Sequence, residues 1–381
     1  MRLLFDNQIF NEQKFGGVSR YFSELLKRFA NSKDICFVLP IKFSANEYLK
    51  EVGKIKVSPG VLVGMKRGKF LERLLNRIAK SINYFLVESE LIKQNFDIFH
   101  PTYYSTYFLK YLKNKKLVLT IHDMIHEIYP YYFKSDKNKT INNKKELALR
   151  ADKIIAISEN TKKDIINFYG IPEEKIKVIY SANSLKPVRA RPINAPDLPE
   201  NYILFVGSRS IYKNFDYFLS SITPLLKNDK KLCVIIAGGY SGKDEISERE
   251  KSFFFELGIN KQIFQYSIND DILAYLYMNA RCFVFPTLYE GFGIPILEAF
   301  ACDCPAIISN TSSLPEIGGS AAMYFNPLDA NSILESVSKV IYNNELRKEM
   351  ILKGREQLKK FSWEKTVEEM TNLYLKMLDK K

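Results

Sequence analysis

Two acidic side chains stand eight positions apart around a glycine-rich turn. Glu290 precedes, and Glu298 follows, a stretch that contains Gly291, Gly293 and Pro295. Glycine lets a ligand approach the backbone closely, and proline is tolerated in the first turn of a helix. The stretch therefore predicts a turn that leads into a helix, whose first N–H groups face a phosphate or a hydroxyl-rich group. Acids also occur as ordinary caps of a first turn, so this alternative stays open.

Two cations follow another apolar run. YILFVGS (202–208) predicts a buried strand that ends near Gly207, and Arg209 and Lys213 precede a helix expected to begin near Asn214. Arg offers a planar fork of N–H groups and Lys a point charge, so the two suit a diphosphate. A solvated basic loop is the alternative. We favour function, because this loop and the glutamate-bearing turn are predicted at the same edge of one sheet.

The first half of the chain carries weaker signals. Gly16 and Gly17 follow the first apolar run and precede a predicted helix, where a phosphate can approach the backbone. His100 and His122 each end an apolar run, and a histidine there can hydrogen-bond a sugar hydroxyl or carry a proton. His126 lies farther into a loop. Single histidines are more often structural, so both interpretations stay open.

Metal and cofactor motifs are absent from the sequence. No Asp-x-Asp pair is present, so we expect cationic side chains and helix N-termini, not Mg²⁺, to meet the charge of a diphosphate. AGGYSGKDE (237–245) is not a phosphate-binding P-loop, because Ala237 and Asp244 occupy positions that need Gly and Ser or Thr. Three histidines and five unpatterned cysteines argue against a metal site and against disulfides. We predict no metal and no cofactor.

Short apolar, β-branched runs predict the strands that position these residues. They are 2–7, 35–40, 96–101, 116–123, 153–158 and 176–181 in the first half, and 202–208, 231–239, 262–267, 281–287 and 305–310 in the second. Stretches of helical period separate them. This alternation is typical of parallel sheets covered by helices, which bind ligands at the carboxyl ends of their strands.

A proline-rich stretch interrupts the alternation. We predict a first domain over 1–185, a linker over 186–200, a second domain over 201–361 and a terminal helix within 362–381. Two doubly wound domains joined in this way leave a cleft between them, which is the default active site.

The positive charge lies in the first half of the chain. The net charge is +13; residues 1–190 hold 34 Lys and Arg against 19 Asp and Glu, a balance of +15, and the remainder holds 22 against 24. This asymmetry predicts an anionic partner. The stretch 65–86 has apolar residues at helical spacing among basic ones, which suits an anionic membrane surface, with an ordinary surface helix as the alternative. With no apolar run of the ~18 to 20 residues that span a bilayer and no secretory signal, we expect a cytoplasmic chain, peripheral at the inner face of the cell membrane.

The ordered motifs resemble a known family. EGFGIPILE is similar to the Glu-x7-Glu motif of retaining glycosyltransferases of family 4, which adopt the α/β GT-B fold of two Rossmann-like doubly wound domains facing across a cleft. The similarity extends to DNQIFNEQKFGGVSRYF, LTIHDMIHE, ADKIIAISENTKKDI, FVGSRSIYKNF, SSLPEIGGSAAMYFNP and FSWEKT. The first of these looks like members that assemble O-antigen or capsule, often mannosyltransferases that use GDP-mannose.

The resemblance implies roles for the acids and for one histidine. Glu290 would contact the donor sugar and support the developing oxocarbenium charge. Glu298 would bind the nucleotide ribose, and His122 would contact the donor sugar.

It also implies a set of residues around the diphosphate. Arg209 and Lys213 would hold it, with Gly17 and the backbone of Phe292 and Gly293 nearby. The commonest family pattern places Arg directly after the strand-end glycine and five residues before Lys. Here one residue intervenes and the spacing is four, which weakens the expectation for Arg209.

The implied activity is metal-independent hexosyl transfer with retained configuration, from GDP-mannose by preference, or from a UDP- or dTDP-sugar, to a glycan or lipid-linked acceptor. The first domain would bind the acceptor, and the terminal helix would return toward that domain. The alternatives are a GT-B-fold isomerase or phosphorylase, for which no motif is present, and a non-enzymatic basic scaffold at a membrane. We expect no nucleic-acid partner, because there is no recognition motif and acids line the predicted cleft.

Overall fold

The computed structural model describes residues 1–53, 55, 58–59, 69–136, 138–238 and 245–379. Their contacts divide the chain into unit 1, Met1–Ser181 with Trp363–Lys381, and unit 2, Ala182–Ser362. Each unit contains one six-stranded parallel sheet. The predicted α/β class is confirmed.

Unit 1 begins with alternating strands and helices. Its strands are β1 (Arg2–Phe5), β2 (Cys36–Val38), β3 (Phe43–Ser44), β4 (Ser58–Pro59), β5 (Ile98–His100), β6 (Lys116–Ile121), β7 (Lys153–Ala156) and β8 (Ile176–Val178). Its helices are α1 (Gln8–Glu12), α2 (Gly17–Phe29), α3 (Lys69–Lys93), α4 (Ile125–Ile128), α5 (Lys139–Arg150) and α6 (Glu159–Tyr169). The sheet order is β2-β1-β5-β6-β7-β8, and β3 and β4 form a separate parallel pair.

Unit 2 repeats the pattern. Its strands are β9 (Asn201–Val206), β10 (Leu232–Ala237), β11 (Ile263–Tyr266), β12 (Cys282–Phe285), β13 (Ala306–Ser309) and β14 (Met323–Phe325). Its helices are α7 (Phe215–Asn228), α8 (Glu248–Glu256), α9 (Asp270–Asn279), α10 (Ile294–Ala301), α11 (Leu314–Gly318), α12 (Ala330–Ile341) and α13 (Asn344–Leu358). The sheet order is β11-β10-β9-β12-β13-β14. The last helix of the chain, α14 (Trp363–Leu378), belongs to unit 1.

The strands formed where the sequence was apolar on both faces. All residues of β10, β12 and β13 are buried, as helix-covered parallel strands require. Each predicted strand run overlaps an observed strand, although the observed strands are shorter because the runs continue into loops. We missed β14, whose half-buried pattern and three residues give a weak signal, and the two-residue strands β3 and β4.

Helix α14 is fixed to the sheet of unit 1 by buried polar contacts. Nδ1 of His100 lies 2.7 Å from the Tyr374 hydroxyl, and Nε2 lies 2.8 Å from the Thr120 hydroxyl. The Thr366 hydroxyl donates to the carbonyl of Tyr180 at 2.7 Å. Because both ring nitrogens of His100 are engaged and the side chain is fully buried, this histidine is structural.

The buried His100 makes the stability of unit 1 depend on pH. Burial, with a smaller effect from His122, lowers the pKa of His100 from 6.5 to about 3. The stabilisation is therefore complete above pH 6.5 and is lost as the pH falls toward 3. His100→Gln should reduce the slope of the unfolding free energy between pH 6 and 5 by about 1 kcal/mol per pH unit. Fluorescence of Trp363, the only tryptophan, reports this unfolding from α14.

Tyr374→Phe is the matched control. It removes the hydroxyl but keeps the histidine, so it should lower the stability by about 1 kcal/mol at each pH and leave the slope nearly unchanged. Equal slopes in wild type and His100→Gln would show that His100 is protonated in the fold.

Candidate active site

The loops that follow β9 and β12 lie side by side in unit 2. The strand order reverses between these two strands, and an α/β sheet binds ligands at the carboxyl edge beside such a reversal. The N–H of Leu288 donates to the carbonyl of Tyr212 at 2.8 Å, and the Thr287 hydroxyl lies 3.1 Å from the same oxygen. This contact between the loops brings Lys213 and Glu290 together.

Lys213 and Glu290 form an ion pair at the strand ends. Nζ of Lys213 lies 2.5 Å from Oε1 of Glu290, and the two side chains are 15% and 17% exposed. The ammonium also lies 5.2 Å from the ring centroid of Phe285 and 5.3 Å from that of Tyr212. One cation and one carboxylate are thus held within reach of solvent at the edge of the sheet.

Two serines hold the turn that carries Glu290. The Ser312 hydroxyl accepts a hydrogen bond from the N–H of Glu290 at 3.0 Å. The Ser313 hydroxyl lies 2.9 Å from the carbonyl of Glu290 and 2.8 Å from that of Phe292, and can donate to either. Sequence reasoning missed both residues. Their signal was the serine pair in the SSLPE motif, directly before α11.

Gly293 must be a glycine for this turn to reach α10. Its φ of +112° lies in the left-handed region, which a side chain disfavours. A Cβ at this position would stand 3.0 Å from Ile296 and 3.1 Å from Leu314. The helix then begins at Ile294 with Pro295 in its first turn, as the sequence predicted.

Glu298 lies on α10 and is nearly buried. The hydroxyl of Tyr277, a fully buried residue of α9, donates to Oε2 of Glu298 at 3.2 Å. Burial and the Glu298 carboxylate raise the pKa of Tyr277 well above its usual value, so the hydroxyl keeps its proton. Tyr277 therefore helps to fix the carboxylate. Sequence reasoning missed this tyrosine, because α9 is apolar at most positions that pack inward.

Arg209 lies in a buried ion pair. Its guanidinium donates to the carboxylate of Glu250, and Nη1 donates to the carbonyl of Gly238 at 3.0 Å. The arginine and glutamate side chains are 1% and 2% exposed. Glu250 also caps α8 through Ser247. Because its donors are engaged in this buried pair, Arg209 joins the loop after β9 to α8, and the environment argues against direct contact with a diphosphate.

The other two predicted site residues belong to unit 1. His122 directly follows β6, and its ring packs edge-on against Tyr21 and Phe22, with centroids 5.0 and 5.9 Å away. Burial lowers the pKa of His122 to about 4, so the ring is neutral at pH 7. Within the part of the chain that the structure describes, Nε2 has no hydrogen-bond partner. Gly17 begins α2, and the side chain of Gln13 accepts a hydrogen bond from the N–H of Ser19 in its first turn at 3.1 Å.

Among residues 1–53, 69–136, 138–238 and 245–379, no three His, Cys, Asp or Glu side chains are close enough to hold a metal ion. The five cysteines are free thiols, and four of them are buried.

The Arg209–Glu250 pair gives a test of what Arg209 does. Arg209→Met should cost about 3 to 5 kcal/mol, because it leaves a buried carboxylate without its partner. Arg209→Met/Glu250→Gln should regain much of this loss and bind nucleoside diphosphates within a few-fold of wild type. Chemical unfolding followed by circular dichroism, and calorimetric titration, measure the two quantities.

Arg249→Met is the matched control. Arg249 lies on α8 beside Glu250, and its ion pair with Asp216 is exposed. It should cost less than about 1 kcal/mol. A stable double variant that binds nucleotide more than 100-fold more weakly would instead place Arg209 on the diphosphate.

The chain matches two family models in succession. Residues 15–182 match Glycosyltransferase Family 4, and residues 189–357 match Glycosyl transferases group 1. The O-antigen chain mannosyltransferase B of Escherichia coli is 26% identical, over 94% of this chain and 95% of its own. The O-antigen chain mannosyltransferase RfbU of Salmonella typhimurium is 27% identical over 60% of this chain and 65% of its own.

Solved structures share the fold over the whole chain. Sucrose-phosphate synthase from Thermosynechococcus elongatus has a TM-score of 0.74 at 18% identity and covers 100% of both chains. WaaG, a glycosyltransferase of lipopolysaccharide biosynthesis, has a TM-score of 0.66 at 14% identity and covers 98% of this chain and 99% of its own. The predicted GT-B fold is thereby confirmed. With both halves matched in order, the chain belongs to the family 4 glycosyltransferases of GT-B fold.

Proposed function

We propose that the chain is a retaining, metal-independent glycosyltransferase that moves a hexose from a nucleoside diphosphate sugar to a glycan or lipid-linked acceptor. Mannose is the favoured sugar, and surface polysaccharide, O-antigen or capsule, is the favoured product. Family membership supports transfer over the isomerase, phosphorylase and scaffold alternatives. The observation that carries the proposal is the Lys213–Glu290 pair, with Glu298 on the adjoining helix.

The donor would lie along the carboxyl edge of the unit 2 sheet. Lys213 and the backbone N–H groups of Phe292 and Gly293 would meet the diphosphate, because a cation and the start of a helix both favour an anion. The nearly buried carboxylate of Glu298 would accept hydrogen bonds from the ribose hydroxyls. Glu290 would lie at the sugar end.

The reaction breaks one bond at the sugar and forms another on the same face. The bond between the anomeric carbon and the β-phosphate oxygen breaks, and the acceptor oxygen bonds to that carbon. The departing phosphate takes the acceptor's proton, so no external base is needed. Lys213 would stabilise the charge on the leaving diphosphate, and Glu290 the positive charge on the sugar. His122 would contact the donor sugar, and Gly17 would lie near the diphosphate.

The names of the relatives support mannose and polysaccharide. Three of the related proteins are an O-antigen chain mannosyltransferase B, a serotype-specific mannosyltransferase WbdA and RfbU. GDP-mannose is therefore the favoured donor. UDP- and dTDP-sugars are the alternatives, and a structural neighbour, Anabaena HepE, was solved in complex with UDP-glucose.

Substitutions of the two charged residues of the site, Lys213 and Glu290, should affect nucleotide binding and sugar transfer differently. Lys213→Met should weaken binding of the nucleoside diphosphate about 10-fold or more, because a charge-assisted contact is lost. Glu290→Gln should bind nucleotide nearly as wild type but lose about 100-fold or more in transfer. A melting-temperature screen with GDP, UDP and dTDP identifies the base, and product analysis with the matching donor measures transfer.

Glu335→Gln, an exposed carboxylate on α12 of the same unit, is the control and should change neither quantity. Unchanged transfer by Glu290→Gln would refute its role. A screen in which GDP-mannose is neither bound nor hydrolysed while another donor is would refute mannose alone.

Helix α3 supports the proposed contact with an anionic membrane at the inner face. Its exposed Leu74, Ile78, Phe85 and Ile92 lie within about 40° of one another around the helix axis. The exposed Arg73 and Arg77 lie along one side of this stripe, about 60° to 100° from it around the helix axis. Residues 65–68 of the predicted segment lie outside the described residues. No described helix is long and apolar enough to cross a bilayer.

An exposed apolar stripe with basic residues along one side predicts a measurable membrane affinity. Arg73→Gln/Arg77→Gln should weaken binding to vesicles with anionic lipid about 10-fold or more, since each basic residue near the surface contributes about 1 kcal/mol. Phe85→Ser should weaken binding further. Vesicle co-sedimentation measures the affinity, and Lys230→Gln/Lys231→Gln, with the same charge change on exposed residues of unit 2, is the control. Equal binding by all variants would reduce α3 to an ordinary surface helix.

A further inference from the structure

A lysine in unit 1 is fully buried although no sequence signal marks it. Lys144 lies on α5, and its side chain is 0% exposed. Lysine is almost never fully buried without a partner, because taking an ammonium out of water is costly. The contacts of this side chain therefore show what the burial achieves.

Lys144 contacts the segment that follows β6. Its Nζ donates to the backbone carbonyl of Asp123 and to Oε2 of Glu127, at 3.0 Å in both cases. The ammonium also lies 5.1 Å from the ring centroid of Tyr104, within cation–π range. The lysine therefore ties α5 to the main chain directly after His122.

The same segment is held at two further points. The N–H of His122 donates to the hydroxyl of Tyr104 at 3.0 Å. The second carboxylate oxygen of Glu127, which is 2% exposed, accepts from the hydroxyl of Tyr169 on α6. Thus the backbone of residues 122–123 is bound on both sides, and the segment cannot shift without breaking buried polar contacts.

Stability alone gives little reason for this arrangement. A buried ion pair is often no more stabilising than apolar side chains of the same volume, although removing one partner is costly. The other consequence of the Lys144–Glu127 pair is geometric: it fixes the backbone at His122, whose Nε2 has no hydrogen-bond partner among the described residues.

We propose that Lys144, with Glu127, is a positioning residue for His122: it fixes the backbone from which the imidazole presents Nε2 to the donor sugar. This inference rests on the proposed function, in which His122 contacts that sugar. None of the sequence motifs that resemble the family contains Lys144.

The ammonium also affects the charge of the histidine. Burial is the main reason that the pKa of His122 falls to about 4; Asp123 on its own segment raises this pKa, and Lys144 lowers it. Three other titratable groups lie near His122: the ring of Tyr21 on α2 packs edge-on against the imidazole, His100 on β5 interacts with it electrostatically, and the hydroxyl of Tyr104 accepts from its backbone N–H. A neutral imidazole can donate or accept one hydrogen bond at Nε2, so a steady neutral state suits contact with a hydroxyl.

Three variants test the proposal in the full-length chain. Lys144→Met removes the ammonium and leaves Glu127 buried without it, so a loss of stability is expected. Lys144→Met/Glu127→Gln removes both charges and should recover the melting temperature. Lys145→Met, on an exposed neighbour in the same helix, is the matched control.

The readouts are steady-state transfer, nucleotide affinity and histidine titration by NMR. In the double variant we expect kcat to fall about 10- to 100-fold, the effect of a small misplacement, with nucleotide affinity unchanged. The titration of His122 should move upward from about 4, because the nearby positive charge is gone. The chain has only three histidines, so His122→Asn assigns the signal.

A folded double variant with wild-type kcat and an unchanged His122 titration would overturn the proposal and reduce Lys144 to a structural role. Failure of the proposed function gives a different result. In that case His122→Asn itself would leave transfer unchanged, while the upward shift of the His122 titration in the lysine variants would still show the coupling.

Discussion

The structure depends on the point in the unit 2 sheet where the strand order reverses. At this reversal β9 and β12 are neighbours, and the strands that follow each of them lie on opposite sides of the pair. The loops after β9 and β12 therefore emerge side by side at the same edge of the sheet. The carbonyl of Tyr212 accepts from the N–H of Leu288 and thus fastens one loop to the other. Residues 77 positions apart in sequence, Lys213 and Glu290, meet because of this constraint. If β9 and β12 were not neighbours in the sheet, their loops would hold these two residues apart.

Buried ion pairs hold the segments near Lys213 in unit 2 and near His122 in unit 1. In unit 2, Arg209 and Glu250 join the loop after β9 to α8; in unit 1, Lys144 and Glu127 join α5 to the segment after β6. Such pairs contribute little net stability but are costly to break, so they favour one geometry over near alternatives. By contrast, Lys213 and Glu290 are partly exposed, which leaves them accessible to a substrate.

Apolar runs, together with the glycines and prolines that end them, predicted most of the fold. They located every strand of the two six-stranded sheets except β14, and they located the start of α10, because these depend on local composition and on a left-handed backbone at Gly293. Partner choice could not be predicted in this way. The pairing of Arg209 with Glu250 was not predicted, because the two residues are 41 positions apart in sequence. Tyr277 and Ser313 were missed because their contacts form only after the chain folds.

The two glutamates that define the site differ in environment, and this difference supports a division of labour. Glu298 is nearly buried and receives the hydroxyl of Tyr277, so its carboxylate is held in one orientation. A fixed acceptor suits the two neighbouring hydroxyls of a ribose, whose geometry does not change during transfer. Glu290 is more exposed and contacts a lysine, so its charge is balanced by a group that a diphosphate can also engage. In the proposed reaction a carboxylate in that position suits the reacting sugar, because positive charge would develop there while negative charge develops on the phosphate that Lys213 would meet.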